Sequence, residues 1–167
     1  KFKLQLPHYA FKDLTRADGF WAAKIIMSFT DEEIKAMVEQ GKLSDPQDAA
    51  YVSRILSERR DIIGKYWFEQ ANPLDEIDLK GSVLSFSDLS VRYGFYQADA
   101  STYRFKIVGR SGERYKVIEK VESKVASLDL APWLGGYDEL VISIETNRAD
   151  AKRALAPVMV RVKSSGL

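Results

Sequence analysis

The feature that most constrains this chain is a change of hydrophobic period at Asn72-Pro73. Upstream of it, apolar residues recur every three or four positions, as they do along one face of a helix. Downstream they alternate with polar residues, as they do along one face of a strand. No single element carries both periods, so the chain has to hold a helical part and a strand part that meet close to Pro73.

Three helices are expected in the first part. Thr15 followed by Asp18 is a helix start, and Phe20, Trp21, Ile25 and Phe29 continue it at helical spacing over about residues 16–28. Thr30-Asp31-Glu32-Glu33 is a capping box, because the threonine hydroxyl and the Glu33 carboxylate satisfy each other's backbone amides. Ile34, Met37 and Val38 then form one face before Gly41. Ser44 is expected to cap the third helix, with Pro46 in its first turn. Val52, Ile55, Leu56, Ile62, Ile63 and Tyr66 mark its apolar stripe.

After Pro73 the residue types become β-branched and aromatic. Strands are expected over Val83–Tyr96, Thr102–Val108, Arg114–Val121, Glu139–Thr146 and Pro157–Lys163, separated by turns at Gly109–Gly112, Gly135-Gly136 and Asn147–Asp150. The acidic stretch Asp75-Glu76-Ile77-Asp78 is read as a linker. The expected fold class is therefore α+β: an N-terminal three-helix unit over residues 1–74 followed by an antiparallel β-sandwich over residues 79–167. Lys1–Leu6 alternates as a further short strand or a linker tail that Pro7 ends.

Composition narrows function mainly by exclusion. The 167 residues contain no cysteine and one histidine, His8, which removes disulfides, thiolate chemistry and most zinc or triad arrangements. Lys and Arg total 25 against 24 Asp and Glu and are interleaved with them, as in Glu58-Arg59-Arg60-Asp61, so nucleic acid is not an expected partner. No apolar run approaches the roughly 20 residues of a membrane span, and no signal-peptide pattern is visible. The chain opens on Lys1, so a longer parent polypeptide is expected.

Candidate carboxylate pairs each have a structural explanation: capping for Glu32/Glu33, a solvated linker for Asp75/Glu76/Asp78 and a loop for Asp138/Glu139. No catalytic residue, metal ligand or cofactor is assigned. Three residues remain as binding candidates. Tyr96 and Trp133 are aromatic residues that stack on sugars or anchor a protein if exposed, and fill the core if not. Arg59 shares a stripe with Leu56 and Ile63, where it serves as a ligand-binding cation or as an ion-paired interface residue. Trp21 and Trp67 are expected to be core or interface anchors.

Two resemblances add to this reading. Tyr103–Val108, Arg114–Val121 and Leu128-Asp129-Leu130-Ala131-Pro132, leading through Tyr137 to Leu140–Ile144, resemble a fibronectin type III or related immunoglobulin-like domain. In that family a tyrosine makes a corner before the penultimate strand, and Tyr137 sits one place out of phase for that role. Asp18–Lys24, Phe29–Ile34, Ser44-Asp45-Pro46 and Glu58–Asp61 resemble a segment of large uncharacterised exported bacterial proteins. Together these imply a non-catalytic structural or protein-interaction module, partnered by another protein or by upstream domains of the same polypeptide. A carbohydrate-binding accessory domain is the alternative, with a glycan as partner. An enzyme using carboxylate or lysine chemistry comes third.

Overall fold

A computed structural model describes residues 13–149 and 153–163. It divides between Ala71 and Asn72 into two compact units. The strand pattern at Lys1–Leu6 lies outside the described residues.

Among the described residues the first unit has three helices, α1 (Arg16–Met27), α2 (Asp31–Gln40) and α3 (Pro46–Phe68). Both expected helix starts form, each as a capping box. The Thr15 hydroxyl accepts from the Asp18 amide at 3.2 Å while the Asp18 carboxylate accepts from the Thr15 amide at 2.9 Å. The Thr30/Glu33 pair repeats this at 3.2 and 2.8 Å. Helix α3 is capped one residue later than expected: Asp45, not Ser44, accepts the Gln47 amide, with Pro46 opening the helix. The core is small. Among the described residues its buried apolar side chains are Ala23, Met27, Ile34 and Phe68, and the Phe20 and Phe68 rings meet edge-on at 5.6 Å. The Trp67 ring lies flush against Gly19, where any side chain would collide with it. Trp21, expected as an anchor, is instead 65% exposed. No described helix is long and apolar enough to cross a membrane.

Among the described residues the second unit has seven strands in two antiparallel sheets. One is ordered β1 (Leu74–Lys80), β2 (Val83–Asp88), β5 (Ser127–Asp129). The other is ordered β4 (Arg114–Ser123), β3 (Ser101–Ser111), β6 (Glu139–Arg148), β7 (Val158–Lys163). Alternation decides which residues turn inward. On β3, Tyr103, Phe105 and Ile107 are buried between exposed Arg104 and Lys106; on β6, Leu140, Ile142 and Ile144 face the same core. Leu74, Leu84, Phe86 and Leu128 from the other sheet belong to the same apolar cluster. Tyr137 packs flat on Gly109, which explains a glycine in the middle of a long central strand.

Two local readings change. The acidic stretch Asp75–Asp78, expected as a linker, lies inside β1; it is charged because an edge strand leaves its outward residues in water. A bulge there sets Glu76 and Ile77 opposite Phe86 alone, with Glu76 at a φ of 49° and its carboxylate held by Arg92 at 2.6 Å. The long strand expected over Val83–Tyr96 stops at Asp88, whose carboxylate caps a single helical turn, α4 (Leu89–Arg92). Tyr93, Phe95 and Tyr96 therefore follow a turn and are not sorted onto two faces of a strand.

Candidate functional site

The densest polar chemistry lies at one end of the β3/β6 pair. Asp88 Oδ1 accepts from the amides of Ser90 and Val91 at 3.0 and 3.4 Å. Its Oδ2 accepts from the Tyr103 hydroxyl at 2.9 Å and from the Arg148 guanidinium. Arg148 also donates to the Ser101 hydroxyl at 3.1 Å and lies 4.9 Å over the Tyr96 ring. The Asp88 and Arg148 side chains are 2% and 4% exposed. A second tie stands further along β6, where the Asn72 amide donates to the Ile144 carbonyl at 3.0 Å and accepts from Thr146 at 2.8 Å.

Four donors converge on the one Asp88 carboxylate, the Arg148 guanidinium among them. The arrangement holds β2, β3 and β6 together. Burial, and then the neighbouring Asp88 carboxylate, push the Tyr103 phenol well above its ordinary range. An unfolded tyrosine ionises near pH 10 while the folded one keeps its proton, so unfolding releases a proton above that pH and stability falls as pH rises. Alkaline urea titrations should show this decline for the native chain and a shallower one for Tyr103→Phe; equal slopes would disprove the assignment.

The sequence candidates fare differently. Tyr96 is half-buried beneath Arg148, and Trp133 is half-buried against the sheet core with Leu134 and Tyr137. Both rings are therefore engaged within their own unit. Arg59 is exposed on α3, and the ion-paired arginine is its neighbour. Arg60 bonds Asp31 at 2.9 Å, Asp61 at 2.8 Å and the Phe29 carbonyl at 2.7 Å. One residue along a helix turns a side chain by about 100°, which moves the pairing from Arg59 to Arg60.

Arg59 instead stands at the rim of an apolar groove of about 370 Å³ in the helical unit. Ile26 and Phe29 at the end of α1, Met37 on α2, and Leu56 and Ile63 on α3 form its walls, and buried Ile34 its floor. Phe29, Met37 and Leu56 are 42%, 53% and 41% exposed. Such a grouping is unusual for solvent-facing helices.

No family model, curated protein or solved structure matches this chain. Function therefore rests on geometry. The sequence pointed to one groove residue, Arg59, and missed the rest, because Phe29, Met37 and Leu56 read equally well as core positions of their helices. Asp88 and Arg148 were missed for another reason: 60 residues separate them, and no local pattern marks either as buried.

Proposed function

We propose that this chain is a non-catalytic protein-interaction module of a larger bacterial polypeptide, and that the groove between α1, α2 and α3 receives an apolar helical segment of its partner. The groove itself carries the proposal. An amphipathic helix lays residues spaced i, i+3 or i+4 and i+7 into a trough of this kind, and Arg59 at the rim offers a cation to an acidic residue on the incoming helix. For the sheet unit we propose the fibronectin type III or immunoglobulin-like sandwich that the resemblance implies. In chain order its sheets read A-B-E and C′-C-F-G, and an apolar core common to both sheets supports that reading. Export of the parent protein rests on the resemblance of Asp18–Lys24 and its companion stretches alone.

The test is to select helical peptides from a displayed library against the full chain. Selected sequences should share three apolar residues at helical spacing and an acid beside them. Leu56→Glu and Met37→Glu, both at exposed positions, should each weaken the best peptide at least tenfold, equivalent to about 1.4 kcal/mol. Peptides indifferent to both substitutions would overturn the proposal.

A further inference from the structure

Among the described residues the two sheets leave four edges, and three carry devices that discourage an added strand. β1 has the bulge at Glu76-Ile77. β4 has a second one, since Ile107 faces Glu119 while Val108 faces Val117, leaving Ile118 unmatched. β5 is three residues long. β7 has none of these: it pairs with β6 in unbroken register from Ile144↔Val158 to Glu139↔Lys163, has no proline, and among the described residues has β6 as its sole hydrogen-bonded neighbour. Its outer row of backbone donors and acceptors is a template for another strand.

What lies beside that edge is equally specific. A cavity of about 590 Å³ runs between β7 and β1, lined by the apolar Val160, Val162, Ile77 and Leu79, with the charged Asp78, Glu139, Arg161 and Lys163 also in its lining. Ile77, pushed out by the bulge, is 39% exposed. Along β7 the pattern alternates: Val158, Val160 and Val162 turn inward, and Met159, Arg161 and Lys163 turn outward. Neither Arg161 nor Lys163 has an acidic partner among the described residues, because the nearby Glu139 is taken by Arg110 at 3.0 Å.

We propose that β7 is a docking edge for an extended segment of a partner protein in which apolar residues alternate with acidic ones. Period-2 alternation sends the apolar side chains into the cavity against Val160, Ile77 and Leu79, and the acids onto the outer face beside Arg161 and Lys163. Backbone hydrogen bonds to β7 supply affinity, and the two cations set preference and direction of charge. This edge is independent of the helical groove, so either interface can fail alone.

The probe is a capped octapeptide alternating valine and glutamate, with a valine–lysine octapeptide as comparison, each titrated into the full chain. The acidic peptide should protect β7 amides from hydrogen exchange and bind at least tenfold more tightly than the basic one. The double variant Arg161→Glu/Lys163→Glu, at two exposed positions, should invert that preference. N-methylation of alternate peptide amides on the bonding edge should abolish binding. No binding, binding without protection of β7, or a charge preference unmoved by the double variant would overturn the proposal. So would β7 amides already protected in the free chain, including by a concentration-dependent dimer.

Discussion

Arg148→Leu should destabilise the sheet unit by about 4 kcal/mol, since removing one partner of a buried ion pair leaves the other charged and desolvated. Asp88 would keep its bonds to Tyr103 and to the amides of Ser90 and Val91, but no cation would remain to balance it. The double substitution Asp88→Leu/Arg148→Leu should cost less than Arg148→Leu alone, even though it also removes the cap of α4, because no buried charge is left unpaired. Urea unfolding of Arg148→Leu, Asp88→Leu and the double variant makes the comparison. A double variant as unstable as the sum of the two single ones would show that the residues act separately and that the ion pair is not what holds β2 to β6.

Phe68→Ala should cost a similar amount, about 4 kcal/mol, but in the helical unit. Phe68 is 1% exposed and receives the edge of Phe20. Few other residues of that unit are buried, so the cavity has little around it that can collapse inward, and a total stability of roughly 5–15 kcal/mol leaves little margin. Thermal melting followed by far-ultraviolet circular dichroism should show the helical signal lost many degrees earlier than in the native chain. A loss under about 1 kcal/mol would mean that Phe68 is not the pivot of the helical packing.

What the sequence made legible was local. Thr15/Asp18 and Thr30/Glu33 mark helix starts because capping is a reciprocal bond between residues three apart, visible within one turn. Tyr103/Phe105/Ile107 and Val158/Val160/Val162 mark strands because their inward row is apolar and their outward row is not. The reading failed where a local pattern had two physical causes. Asp75–Asp78 looks the same as a solvated linker and as a bulged edge strand, and only the pairing of Leu79 with Leu84 separates the two. Val83–Tyr96 looked like one strand because nothing in the residue types shows that Asp88 would turn its carboxylate onto the amides of Ser90 and Val91. The groove was hidden more deeply, since apolar helix positions such as Leu56 and Ile63 read as core whether or not another element covers them.

The ties on β6 also bear on the order in which the chain takes shape. Arg148 reaches back 60 residues to Asp88, and Ile144 and its neighbour Thr146 reach back 72 and 74 to Asn72, whereas the clamp of Arg60 on Phe29 spans only 31. Contacts between distant positions close large loops before any packing rewards them, and folding slows accordingly. During synthesis β1 to β5 leave the ribosome with their apolar rows waiting for the strand that completes the core. Through that interval Phe105 and Ile107 lack the β6 side of their core, so the sheet unit is expected to fold more slowly than the helical unit, which is complete by residue 71.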